Sequence, residues 1–251
     1  MGAVPYHIRC QPGDVGEAVL LPGDPGRVES IARLLDRPRL VARNREFTTY
    51  TGELDGRPVS VCSTGIGSPS TAIAVEELAA IGARVFIRVG TTGSIQPEVG
   101  FGDLVIATGA VRDEGTTSAY VPATYPAVAD HELVHRMLEA GRRMNQRVHA
   151  GIVRSHDALY ADLHAADQPR HAELEQAFEI WRQAHVLCND MESSTIFTLC
   201  ALRGLRGGSI LTVVNEPGET DIDSKRVAGL DLTPMVRVAL EAIQRLTPVK
   251  A

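Results

Sequence analysis

The sequence predicts an α/β protein organised around a largely parallel sheet. Short apolar runs rich in β-branched residues recur along the chain, and the segments between them place apolar residues at helical spacing. Strands crossing over through helices produce that alternation. The length, 251 residues, suits one α/β domain spanning 1–251. A chain of this size buries roughly 75% of its unfolded surface, so its core needs no covalent staple.

In order, strands are expected over 18–23 (AVLLPG), 47–54 (FTTYTGEL), 57–64 (RPVSVCST), 84–90 (RVFIRVG), 103–109 (DLVIATG), 149–155 (HAGIVRS), 184–188 (AHVLC) and 209–215 (SILTVVN). Asp55-Gly56 joins the second and third as a hairpin turn. Ser68-Pro69 reads as a cap residue followed by proline in the first helical turn, and Gly82 closes that helix. Asp130 is a natural N-cap for a helix running to about Met144. Thr233-Pro234 repeats the start signal for a C-terminal helix with Val236, Leu240 and Ile243 on its apolar face. Three long polar stretches, 113–126, 156–171 and 215–231, interrupt the pattern. Loops of that length inside a domain are usually functional, and a site is expected beside them.

Composition narrows the partners. A net charge of −6 without a basic stripe argues against nucleic acid, and no apolar run approaches the ~20 residues of a membrane span. Cys10, Cys62, Cys188 and Cys200 are scattered without a Cys-x-x-Cys pair, which favours a reduced, cytoplasmic setting over a disulfide framework or zinc ribbon. The opening "MGAVPYHIRC" lacks the apolar core of a signal peptide. "HELVH", His131 to His135, has the spacing of a zinc-peptidase helix. A catalytic zinc needs three protein ligands, and the following "RMLEAGRRMN" contains no further histidine. A solvated helix edge is the expectation, with zinc hydrolysis as the competing one.

Three elements have site chemistry. "LLPGDPGRVESIARLL" places Gly23 and Arg27 at a strand-to-helix turn, where close backbone approach, N–H groups and a planar guanidinium suit an oxyanion. "FIRVGTTGS" sets Arg88 inside an apolar strand ahead of Thr91, Thr92 and Gly93, and arginine is seldom buried without a partner. "NDMESSTIF" puts Asp190 and Glu192 between a strand and an apolar helix, as caps or as acceptors for hydroxyls. Acceptors beside arginines suit a sugar with a phosphate.

These stretches, with "REFTTYTGELDGRPVSVCSTGIGSPSTAIAVEELAAIGARVFIRVGTTGSIQ", "YPAVADHELV" and "VVN", resemble the uridine phosphorylases of the nucleoside phosphorylase superfamily. The similarity spans most of the chain and is densest in its first ~135 residues. It implies a three-layer α/β/α fold with a central mixed, twisted sheet. The implied reaction is phosphate-dependent cleavage of a nucleoside's N-glycosidic bond to ribose 1-phosphate and free base. No organic cofactor is implied, and the implied assembly is a hexamer built from dimers with shared active sites. Carried over by position, Gly23, Arg27, Arg88 and Thr91 hold phosphate, with Arg45 arriving from the partner subunit. Thr91, Met191, Glu192 and the partner's His7 hold ribose, with Tyr6 packing nearby. Thr92, Gly93 and Leu159 face the base. Glu46, Ile66 and Ser70 match the residues that hold a monovalent cation, here expected to be potassium, between two subunits.

The base half departs from the pattern. At the ungapped positions of the family's Gln-x-Arg pair stand Leu163 and Ala165, and Gln168-Pro169-Arg170, five residues late, is the base-binding candidate if the loop is remodelled. The arginine expected after "VVN" is Glu216, and Asp190 replaces a Glu. Overall resemblance favours uridine. Glu216 favours a purine, as a candidate acid protonating the departing base. Arg88, Thr91, Glu192 and Glu216 are the catalytic candidates, and a non-catalytic nucleoside-binding protein is the alternative that the altered base loop suggests.

Overall fold

The computed structural model describes residues 4–219 and 221–247. Its strands and helices are β1 (Ala18–Leu21), α1 (Val28–Ala32), β2 (Asp36–Asn44), β3 (Phe47–Leu54), β4 (Arg57–Cys62), α2 (Ser68–Ala80), β5 (Val85–Ser94), β6 (Leu104–Asp113), β7 (Ala127–Val128), α3 (His131–Arg143), β8 (Val148–His156), α4 (Leu159–Leu163), α5 (His171–Gln183), β9 (Cys188–Asp190), α6 (Ser193–Arg203), β10 (Arg206–Asn215), α7 (Ser224–Ala228) and α8 (Thr233–Gln244).

Apolar runs become central strands because helices cover both faces of the sheet. Val19 and Leu21 of β1, Phe86 of β5 and Leu211 of β10 pack on one side with Val75 and Leu78 of α2 and Phe197 of α6. Their sequence neighbours Leu20, Ile87 and Ile210 point the other way, against Val28 of α1, Leu133 and Met137 of α3, and Val236 and Ala239 of α8. The two-residue strand period thus feeds two cores, and each large side chain so buried contributes about 1.5–3 kcal/mol. The layers are α/β/α.

The sheet is mixed. Five strand pairings are parallel and five antiparallel. The parallel set runs through β4, β1, β5 and β10 and through β6, β8 and β9, while hairpins and reversals make up the rest. Because β10 pairs with both β5 and β6, and β9 with both β5 and β8, five strands close a circuit β5-β10-β6-β8-β9 at one end.

Asp55-Gly56 does turn between β3 and β4, with φ 51° and 75° at the two loop residues and Leu54 opposite Arg57. Two strands escaped the sequence reading. β2 is a polar outer strand bearing Arg37, Pro38, Arg39 and Arg43, residues that blunt a sheet edge and erase an apolar signal. β7 is two residues long. The strand expected over 184–188 begins only at Cys188, because α5 runs to Gln183 and His185 takes a left-handed φ of 58° before the chain extends.

Ser68 and Thr233 are the first helical residues of α2 and α8 rather than their caps. Ser68 Oγ donates instead to the Met191 carbonyl at 3.0 Å, tying the start of α2 to the loop before α6. Asp130 caps α3 as expected, accepting from Leu133 N at 2.9 Å. On α3, His131 and His135 are exposed. His135 lies 3.6 Å from Glu139, and Glu132 accepts from Arg206 at 3.0 Å and from Thr247. The "HELVH" carboxylate therefore joins elements of the scaffold. Among the described residues no helix is long and apolar enough to cross a membrane.

Candidate active site

A cavity of about 870 Å³ opens where β1, β5 and β10 end and where β8 and β9 arrive. Strand ends in α/β sheets leave such crevices because the chain must depart to either face. The stretches 156–171 and 215–231 line it, as expected of them. The stretch 113–126 does not. Arg112 gathers it onto the sheet by donating to Thr117 Oγ1 at 2.9 Å and to the carbonyls of Pro122 and Tyr125 at 2.7 Å each.

On one wall, the turn after β1 brings Gly23 so close to the loop before α2 that a Cβ there would lie 3.2 Å from the Gly65 carbonyl. Asp24 shapes the turn by accepting from Gly26 N at 2.7 Å. Arg27 follows at the N-cap of α1, its Nε 3.7 Å from Asp24, and lines the cavity.

Facing it, Arg88 projects from β5 and is 5% exposed. Its Nε donates to Asp190 Oδ2 at 2.8 Å, and its Nη2 lies 2.5 Å from Glu192 Oε2. Two residues on along the same strand face, Gly90 leaves the space the guanidinium occupies, since a Cβ there would sit 2.8 Å from Arg88 Cζ. Asp190 is fully engaged: Oδ2 also accepts from Ser193 N at 2.9 Å and Oγ at 2.5 Å, and Oδ1 accepts from Ser155 Oγ at 2.6 Å. It positions Arg88 and starts α6. Glu192 is the carboxylate with acceptor capacity to offer, because Oε1 takes Gly67 N at 2.6 Å while Oε2 has only the ion contact. Burial pushes its carboxyl above the usual range, and Arg88 opposes that shift.

Met191, Thr91, Thr92 and Gly93 line the same wall. Thr92 lines the cavity, but its Oγ1 is engaged, donating to the Asn189 carbonyl at 2.5 Å and joining β5 to β9.

The far end is built from Leu159, Asp162 and His164 on one loop and Glu216, Glu219 and Asp221 on the other, with His164 Nε2 3.5 Å from Asp221 Oδ1 across them. Glu216 Oε2 accepts from Arg226 Nη2 at 2.8 Å and Oε1 from Phe101 N at 3.2 Å. Arg226 stacks on the Phe101 ring, 3.7 Å from its centroid. These hydrogen bonds, the Arg226 one foremost, hold the Glu216 carboxyl below the usual range. Glu216 thus latches Arg226 and the Phe101 backbone together as a carboxylate in this structure. Gln168 and Arg170 are corrected: neither lines the cavity, and Arg170, at the cap of α5, faces outward and donates through Nε to Glu173 at 2.9 Å.

His7 and Arg45 stand apart from this chain's cavity. His7 Nδ1 is 2.7 Å from Glu77, Tyr6 is 69% exposed with Arg45 5.9 Å from its ring centroid, and Arg45 occupies the tight turn from β2 to β3 with φ 54°. Glu46, Ile66 and Ser70 do converge. Gly65, at φ 71°, lies so near that its Cβ would fall 2.9 Å from Glu46 Cγ and 3.3 Å from Ser70 Oγ, and Ser70 Oγ donates to the Ile66 carbonyl at 3.2 Å.

A family model described as "Phosphorylase superfamily" matches residues 17–247, spanning every one of these elements from β1 to α8. The chain belongs to the phosphorylase superfamily. Within the superfamily it is 42% identical to a uridine phosphorylase of Treponema pallidum over 96% of this chain and 93% of that protein. It is 49% identical to a uridine phosphorylase of Thermococcus kodakarensis, over 83% and 76%. It is 38% identical to a guanosine phosphorylase of Halorubrum lacusprofundi, over 96% and 98%. Gly23, Arg27, Arg88, Thr91, Met191 and Glu192, singled out from sequence, all line the cavity, and four contributors were not readable there. Gly90 and Arg226 act through neighbours. His156 and Asp162 line the cavity within a stretch whose polarity alone marked it.

Proposed function

We propose that the chain is a nucleoside phosphorylase that cleaves the N-glycosidic bond of a nucleoside with inorganic phosphate, with uridine-like nucleosides favoured. The observation that carries this reading is Arg88, buried in the cavity wall yet held by Glu192 and Asp190 opposite the Gly23–Arg27 turn. Nη1 of Arg88 has no hydrogen-bond partner among the described residues, so the guanidinium has donors to offer an oxyanion.

In the reaction a phosphate oxygen forms a bond to C1′ of the ribose as the bond from C1′ to the base nitrogen breaks. The electron pair leaves with the base, and a proton is taken up there. Positive charge grows on the ribose ring, so fixing phosphate beneath C1′ and holding the hydroxyls on Glu192 lowers the barrier by positioning and preorganised charge. Glu192, itself fixed by Gly67 N and Arg88, couples the two: the same guanidinium that meets phosphate aligns the ribose acceptor.

The full site in this reading draws on a second copy. Tyr6, His7 and Arg45 form an exposed group off the chain's own cavity, which suits delivery of His7 to a neighbour's ribose and of Arg45 to its phosphate, in a hexamer built from dimers. Glu46, the Ile66 carbonyl and Ser70 are hard oxygen donors that fit a potassium ion at the dimer interface. Such an ion supplies counter-charge to Glu46 and joins subunits. The setting proposed is the cytoplasm.

A second reading, a guanine or other purine base, is favoured by the carboxylates at the far end and by the guanosine phosphorylase relative. Incubation with a nucleoside panel, with and without phosphate, tests both. Ribose 1-phosphate formed only with phosphate supports phosphorolysis, and base release that ignores phosphate would reject it.

A further inference from the structure

The far end of the cavity has a feature that none of the expected base readers accounts for. Arg170 points outward to Glu173, and Arg226 is held by Glu216 and by Glu219 at 2.8 Å each. Arg154, at the end of β8, is 7% exposed and closed off. Its Nε and Nη2 meet Asp113 at 2.7 Å each, and its Nη1 meets Asp162 and, at 3.4 Å, Asn189 Oδ1. Among the described residues no arginine is therefore left to read a carbonyl there.

Beside Asn215 Oδ1, which also lines the cavity without a partner, two acceptors sit together at the end of β8. His156 follows Arg154 by two residues on the same strand face, is 4% exposed and lines the cavity. Its Nδ1 lies 3.5 Å from Asp162 Oδ2, the oxygen that also takes Arg154. Asp162 Oδ1 has no hydrogen-bond partner among the described residues. Burial holds the imidazole below its ordinary range, so it is neutral near pH 7. With its proton on Nδ1, toward the carboxylate, the other ring nitrogen offers a lone pair.

We infer that His156 and Asp162 form the base-reading pair, selecting bases that present a ring N–H to these two acceptors, as uracil and the 6-oxopurines do. Cytosine and adenine present a bare ring nitrogen at that position, and only their exocyclic amino group beside it can donate. Against them the pair sets lone pair against lone pair in a partly dry site, and a site built for one hydrogen-bonding pattern rejects the other strongly. The inference rests on the nucleoside phosphorylase reading and names its base class.

The test compares matched pairs, uridine with cytidine and inosine with adenosine, on wild type, Asp162→Asn and His156→Asn. Phosphorolysis is followed by kcat/KM for each nucleoside and by KM for phosphate. Binding of the same four nucleosides is measured separately by calorimetry. Wild type should favour uridine and inosine by at least about tenfold, and each variant should cut that ratio by about tenfold or more. KM for phosphate should stay within about twofold, since neither side chain hydrogen-bonds to Gly23, Arg27, Arg88 or Thr91; a merely structural role would lower both members of a pair together. A wild-type preference for cytidine or adenosine overturns the inference, as does an unchanged ratio in both folded variants. If wild type turns over nothing, the phosphorylase reading fails. The calorimetric preference within each pair then still upholds or overturns the base-reading pair.

Discussion

Replacing Arg88 with alanine separates what that residue does for the fold from what it does for the reaction. Asp190 and Glu192, 4% and 3% exposed, lose their shared cation. Breaking a buried pair from one side costs about 3–5 kcal/mol, which for a chain of this size lowers Tm by roughly 6–20 °C. Protonation offsets part of that loss. Glu192 is already pushed upward by burial, and Arg88 is the group opposing the shift, so its folded-state pKa rises further in the variant. A carboxyl raised in this way contributes fully below its unfolded value, about 4.3, and destabilises as pH rises through the folded value. The Tm deficit should therefore be smaller near pH 5 than near pH 8. Catalysis loses a preorganised donor as well, worth about 10²–10³ in kcat, and no pH change restores it. Thermal unfolding at the two pH values, with initial rates over a phosphate series at a temperature where the variant is folded, measures both effects. Wild-type dependence on phosphate, or a Tm deficit that grows toward acid, would refute the reasoning.

Gly90→Ala should mimic part of that loss with the charge retained. The new Cβ meets a guanidinium pinned by two carboxylates, so overpacking of about 1–3 kcal/mol is expected, with a raised KM for phosphate in kinetic assays. Glu216→Gln breaks a half-exposed pair with Arg226, so stability should change by less than about 1 kcal/mol. KM should rise similarly for uridine and inosine, and purine-selective loss of kcat would support the proton-donor role. Alanine at both His131 and His135 should leave phosphorolysis within about twofold, as exposed substitutions do, and activity lost on substitution or to a chelator would revive the zinc reading.

Local patterns made much of this protein legible in sequence. The β1, β5 and β10 runs, the Asp55-Gly56 turn and the Asp130 cap are each set by residues within a few positions of one another, through backbone preference and two-sided burial. Gly23, Arg27, Arg88 and Glu192 were readable for the same reason: each sits at a strand or helix end whose type is written locally. β2 was hidden because an outer strand presents charge instead of an apolar run.

The rest required contacts between distant segments. Asp190 could be a cap or a ligand by sequence, and only its four hydrogen bonds to Arg88, Ser193 and Ser155 make it a support. Glu216 read as an acid by sequence, and only the fold shows that Arg226, ten residues on, and Phe101, from another loop, engage its carboxylate. Gln168 and Arg170 had the right identities, but the path of the chain into α5 takes them off the cavity. Sequence by itself determined most of the elements and the residues at the strand ends that line the cavity, because propensity and burial act locally. Which polar groups at the far end keep a free acceptor was decided by tertiary structure alone, because that depends on which partners the fold brings to each.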